Sequence, residues 1–202
     1  MRYIEVAKQI SGKNNWDAAV KYLYSETSEL GRWLRTKNVV ERIGDYIFVH
    51  GGLNKNHINA NLSIPEINNI AKAYYGKMPK GSNLNRNEKL VLGSFDSPYW
   101  DRSLVMNLKY RVMFLLHGGP THKTTELELD EILSFYNAKK IVIGHSVGDQ
   151  VFADYNGKVI KIDVKHGIEK NSSKTQGFLI EDGVEYKIDG LGKKEKLYIA
   201  SL

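Results

Sequence analysis

Two short segments constrain this chain more than anything else in its sequence: Ile47-Phe48-Val49-His50-Gly51-Gly52-Leu53 and Ile141-Val142-Ile143-Gly144-His145-Ser146. Each is a strand-forming apolar run that stops at a histidine beside glycine. Such runs read as buried strands, and glycine lets the backbone turn sharply and approach a neighbour closely. Strand ends feeding loops are common places for functional residues. Two histidines offered this way from separate strands are suited to meet at one metal ion through neutral imidazole nitrogens. A histidine packed at a strand end is the simpler reading of either one alone.

The rest of the chain alternates helical and extended patterns. Residues 15–36 predict an amphipathic helix with Trp16, Ala19, Val20, Leu23, Leu30 and Leu34 near one face, weakened or split at Gly31. Val39-Val40 reads as a short extended piece, Gly44-Asp45 as a turn and Tyr46–Val49 as a strand. A second helix runs from Ile64 to Tyr74, with Ser63 as N-cap and Pro65 in its first turn. Residues 76–98 read as a long loop with a short apolar piece at Leu90–Leu92. Leu104 to Leu116 fits either strand or helix. Thr124 to Tyr136 is a helix with acidic residues in its first turns. From Lys140 onward strands and turns take over: Ile141–Ile143, Val151–Asp154, Val159–Val164, Gly177–Ile180 and Glu185–Ile188, with hairpin turns at Asn156-Gly157 and Asp182-Gly183.

Composition narrows the functional classes. A chain of 202 residues with 42% apolar residues fits one domain with a genuine core. With no cysteine, disulfides and thiolate ligands are excluded, leaving His, Asp, Glu or Asn for any metal. Neither a membrane span nor a signal-peptide layout in MRYIEVAKQI is apparent, which fits a cytoplasmic protein with no membrane partner. The net charge of +6 is spread along the chain, densest at Lys193-Lys194-Glu195-Lys196 and from Lys165 to Lys174. It reads as a solvated surface, or as attraction for an anionic substrate. No nucleic-acid motif accompanies it, so nucleic acid is not an expected partner.

A third element lies between the two histidine segments: Ser97-Pro98-Tyr99-Trp100-Asp101-Arg102. Pro98 keeps its predecessor extended, and the two aromatics are placed to hold Arg102 against the core. A fixed guanidinium suits bidentate recognition of phosphate. In this order the three elements resemble the C-terminal part of the calcineurin-like metallophosphoesterases, near the bacterial Shewanella-like protein phosphatases. The resemblance covers about residues 38–164. It implies an α+β fold, the C-terminal part of a four-layer α/β/β/α sandwich ending in an antiparallel β-meander. One domain over 1–202 would then comprise a helical lead-in over 1–45, a site-bearing part over 46–164 and C-terminal β-hairpins over 165–202. It also implies His50 and His145 as ligands of one metal of a binuclear pair (manganese, iron or zinc). Arg102 would be the catalytic and phosphate-binding arginine, with Gly51 and His166 near the substrate. The implied activity is hydrolysis of phosphate monoesters, on proteins, nucleotides or small molecules, by a metal-activated water.

The family's Asp-x-His, Gly-Asp-x-x-Asp-Arg and Gly-Asn-His-(Glu/Asp) motifs do not occur here. Met1-Arg2-Tyr3 resembles the stretch just after the last of them, which implies an N-terminally truncated domain carrying part of the site. The alternative is an inactive fragment or pseudo-phosphatase acting as a binding module. Among the other histidines, His117 in His117-Gly118-Gly119 mimics the first segment but falls after the arginine element. His57 and His122 read as surface residues. Arg32 and Arg35 precede the first strand and read as helix surface, with the substrate side as the other option.

Overall fold

A computed structural model of the chain describes residues 5, 8, 9, 16–77, 83–93 and 95–197. Residue 15 and the Met1-Arg2-Tyr3 stretch lie outside the described residues. Two helices come first, α1 (Trp16–Leu23) and α2 (Glu29–Arg35). The expected helix is indeed divided, but over residues 24–28 and not at Gly31. Ser28 caps α2 by accepting the Gly31 N–H at 2.9 Å. Gly31 packs so tightly on the preceding turn that an added Cβ would overlap the Ser25 carbonyl oxygen. Its glycine therefore serves helix–turn contact. Gly31→Ala is expected to cost about 1–3 kcal/mol through overpacking, read as a lower urea midpoint with unchanged slope.

Strands β1 (Val40–Ile43) and β2 (Tyr46–Val49) form an antiparallel pair. Five helices then follow: α3 (Lys55–Asn59), α4 (Ile64–Ala73), α5 (Arg86–Leu92), α6 (Leu108–Leu116) and α7 (Glu126–Phe135). Four of them are held at their starts by capping boxes, Asn54 with His57, Ser63 with Glu66, Asn85 with Glu88 and Thr125 with Glu128. The expected long loop over 76–98 thus contains a helix, and the undecided 104–116 segment becomes a 3-10 turn at Ser103–Val105 followed by α6.

Strand β3 (Lys140–Ile143) returns parallel to β2, with Val49 opposite Ile143. Next come β4 (Phe152–Asp154) and β5 (Val159–Lys161), and the sheet order is β1-β2-β3-β5-β4. Strands β6 (Gln176–Glu181), β7 (Val184–Asp189) and β8 (Lys194–Lys196) form a separate antiparallel sheet.

This architecture corrects the expected fold class. The described residues form an α/β arrangement around a mixed five-stranded sheet, not part of a four-layer α/β/β/α sandwich. The alternating residues of the sheet divide between two cores. Ile47, Val49, Ile141, Ile143 and Val159 face the helices with Leu53, Ile67, Leu129 and Ile132. On the other face Val142, Ala153 and Ile160 meet Phe178 of the small sheet, with Tyr46 and Phe48 beside them. Tyr46 Oη donates to Glu185 at 2.7 Å and Lys140 pairs with the same carboxylate, tying the sheets together. The antiparallel meander begins only at β6, because β3 and β5 both run parallel to β2. Parallel neighbours need a crossover, and α3 to α7 provide the one between β2 and β3.

Candidate functional site

The register of β2 and β3 puts the two histidine segments side by side. His50 O accepts the Gly144 N–H at 2.9 Å, so both strands end at the same level. His145 then turns through φ +64°, a left-handed conformation uncommon outside glycine. Such strain is held where surrounding structure enforces it, often at functional sites. The turn swings the His145 ring against His50, with Nε2 of His50 and Nδ1 of His145 at 2.9 Å. One of these nitrogens carries the shared proton and the other accepts. Trp100 packs edge-on to His145 at 4.9 Å between ring centroids.

The arginine element is docked to the first strand end by backbone. Gly51 N–H donates to Pro98 O at 2.7 Å, and a Cβ at Gly51 would lie 3.0 Å from Pro98 O and from the backbone of Asp101. Asp101, only 3% exposed, accepts from Ser103 N–H at 2.6 Å and from Asn54 Nδ2 at 3.0 Å. Burial pushes its carboxyl up to about 6, against the lowering effect of those donors. Asn54 also caps α3, so one side chain links Asp96, Asp101 and the first crossover helix. Arg102 follows, its guanidinium 5.1 Å from the Tyr110 ring centroid and 5.8 Å from that of Phe114.

Desolvation keeps His145 uncharged. Desolvation lowers the His145 pKa to about 4, helped by the positive charge of Arg102 and by His50, with Asp163 opposing. His145 is therefore a neutral imidazole at physiological pH. Among the described residues five buried side-chain polar atoms lack a hydrogen-bond partner, and three of them gather here: Arg102 Nε, His145 Nε2 and Ser146 Oγ. An unmet buried polar atom costs about 1–3 kcal/mol, so such a cluster calls for an explanation. A polar ligand supplies one.

The structure thus brings together His50, His145, Arg102 and the Gly51 turn. His166 is exposed on the segment after β5. His117 closes α6 with Nδ1 at 2.7 Å from Met113 O, and His122 meets Glu128 at 2.7 Å on the surface. Arg32 is exposed and donates to Thr27 O. Arg35, by contrast, lines a cavity together with His50. His57 is fully buried, which corrects its reading as a surface residue: its position at N3 of α3 turns it inward to accept the Asn54 N–H. Sequence reasoning missed Ser146, Asp101 and Asn54. The Asn54-to-His57 capping spacing was the one local signal for the last.

The expected binuclear centre needs correcting on the same geometry. Among the described residues no group of three or more His, Asp or Glu side chains is gathered to hold a metal ion. Each imidazole spends a ring nitrogen on the other. Among the described residues a binuclear pair of manganese, iron or zinc ions therefore finds no gathered ligand set. Among the described residues no helix is long and apolar enough to cross a membrane.

No family model and no curated protein sequence matches the chain. Solved structures do. One is a cold-active protein-tyrosine phosphatase of a psychrophilic Shewanella species, at 25% identity and a TM-score of 0.70, covering 98% of this chain and 52% of that one. A second structure of a cold-active protein tyrosine phosphatase matches at 25% identity and a TM-score of 0.69, covering 97% and 51%. A mutant of a cold-active protein tyrosine phosphatase, at 24% identity and a TM-score of 0.68, matches over 96% and 56%. The chain spans about half the length of these structures. The resemblance to calcineurin-like metallophosphoesterases is corrected accordingly: what the chain is similar to, over nearly its whole length, is a set of structures described as protein-tyrosine phosphatases.

Proposed function

We propose that this chain carries part of the active site of a phosphatase that hydrolyses phosphate monoesters, with His50, His145 and Arg102 facing the phosphoryl group. The observation that supports this reading best is the set of three unpartnered buried polar atoms, on His145 and Ser146 just past the end of β3 and on Arg102 in the segment docked at the end of β2. Phosphate oxygens are strong acceptors, and a guanidinium with a free Nε–H offers them a fixed, charged donor. With the shared proton on His50 Nε2, the neutral His145 keeps its buried Nε2–H as a second donor. Backbone bonds through Gly51 and Pro98 hold the arginine segment in register with the pair, so the donors meet the substrate already arranged. The phosphatase neighbours add weight to the reaction class, and their descriptions make phosphorylated tyrosine the first substrate to test. No thiolate nucleophile is available in a sequence without cysteine.

A second reading has its own support. A chain spanning half of its neighbours, with few catalytic groups, also suits a phosphate-binding module without turnover. Titrating inorganic phosphate and p-nitrophenyl phosphate into the labelled chain separates the two. Both ligands are expected to shift the imidazole NMR signals of His50 and His145, and Arg102→Gln is expected to weaken binding about 10–100-fold through loss of a charge-assisted contact. Slow release of p-nitrophenol that His50→Ala abolishes favours the enzyme. Binding with no release favours the module. Imidazole signals that stay still at millimolar phosphate would reject both.

A further inference from the structure

Beside the histidine pair, with His50 in its lining, opens a cavity of about 500 Å³ walled by Tyr24, Leu34, Val39, Tyr75, Tyr99 and Arg35. Its volume lies within the roughly 300–1,000 Å³ of small-molecule sites. Three features give it a chemical character. The walls are aromatic and aliphatic. Lys37 and Arg35 supply positive charge, and among the described residues no carboxylate lines it. Finally, the cavity is built, with its polar groups tied down. Arg35 Nη1 donates at 2.9 Å to both the Tyr24 and the Gly31 carbonyl oxygens, and its Nη2 lies so close over Gly76 that a Cβ there would overlap it. Tyr75 Oη donates to Lys37 O at 2.9 Å and is hydrogen-bonded to Tyr99. The Lys37 ammonium sits 4.3 Å from the Trp33 ring centroid.

An aromatic-walled cavity with a fixed guanidinium suits a flat ring attached to an anion. Ring faces gain from aromatic walls and from a guanidinium alongside, while the positive rim favours a dianionic substrate over a neutral one. Since His50 belongs both to the cavity lining and to the histidine pair, a ring in the slot places its ester phosphate at the pair.

We infer that this cavity is the subsite for the aromatic ring of an aryl phosphate monoester, and that Arg35 sets the preference for aryl over alkyl esters. This rests on the phosphate reading of His50, His145 and Arg102. The test is NMR titration of the chain, labelled on histidine and tyrosine, with phenyl phosphate and with methyl phosphate.

Phenyl phosphate is expected to bind about tenfold or more tightly than methyl phosphate, and to move the ring signals of Tyr24, Tyr75 and Tyr99 together with those of His50. Arg35→Gln is expected to remove most of that difference, a readout that simple loss of stability would not give. Should that variant unfold, Leu34→Trp fills the slot while the backbone acceptors of Arg35 stay in place, and the same loss of preference is expected. Equal affinities with still tyrosines would overturn the subsite and leave the phosphate site standing. If neither ester moves His50 or His145, the phosphate reading itself falls. Tyrosine shifts without histidine shifts would overturn the subsite too, since the ring would then lie away from the reacting phosphate.

Discussion

His57→Ala is expected to be the most destabilising single substitution near the site, at about 3 kcal/mol. Two losses combine. The alanine leaves a hole where a fully buried imidazole stood, and it removes half of the Asn54–His57 capping box that starts α3. In a chain of 202 residues that corresponds to a melting temperature lower by about 6–12 °C. His57→Gln, which restores a capping partner at N3, is expected to recover part of the loss. Calorimetry on the three proteins measures it. A His57→Ala protein melting within 2 °C of the parent would contradict the burial argument.

The pH dependence of stability should show two opposed titrations that meet at Asn54. Burial lowers the His57 pKa to about 4, from an ordinary 6.5, so the folded chain keeps this ring neutral. As pH falls from 6.5 towards 4 the unfolded chain takes up a proton that the folded chain refuses. The stability His57 contributes is therefore present above 6.5 and lost on the way down to 4. Burial raises Asp101 from 3.8 to about 6, so the folded chain keeps its proton where the unfolded chain has released it. Here stability is lost as pH rises from 3.8 to 6. Each effect reaches up to roughly 3 kcal/mol.

Because their windows overlap with opposite signs, the contributions of His57 and Asp101 largely offset each other between pH 4 and 6, and the lowered pKa of His145 adds a loss of stability as pH falls. Removing one group exposes the other. Relative to the parent, His57→Gln should lose up to roughly 3 kcal/mol of stability as pH rises from 4 to 6, and Asp101→Asn a similar amount as pH falls from 6 to 4. Asp101→Asn also loses one of the acceptors that hold Ser103 and Asn54, an offset that does not depend on pH. Urea unfolding of the parent and both variants at half-unit pH steps gives the slopes. Parallel profiles for all three proteins would refute the account.

Much of the local structure was legible in the residues. Tyr46–Val49, the Ser63-capped helix and the hairpin at Asp182-Gly183 follow from short-range rules of alternation, capping and turn chemistry, and the structure contains all three. His50, His145 and the Ser97–Arg102 segment are likewise marked by their own motifs, and the structure sets them beside one another. The layer arrangement was not legible. Whether β3 lies parallel to β2 or folds back as part of a meander depends on what the five intervening helices cover, and no periodicity within a four-residue strand carries that information.

The site's chemistry divides in the same way. By itself the sequence determined that two histidines and an arginine stand at strand and turn ends, that no thiol is available, and that glycines open the backbone beside them. Only the tertiary structure decided what the histidines do. The β2–β3 register and the left-handed turn at His145 aim the two rings at each other, so each spends a nitrogen on its partner, and two such imidazoles make no metal cage. It also decided that His57 is core and that Arg35 shares a cavity with His50. Burial and convergence are sums over residues distant in sequence, and a motif records only its own neighbours.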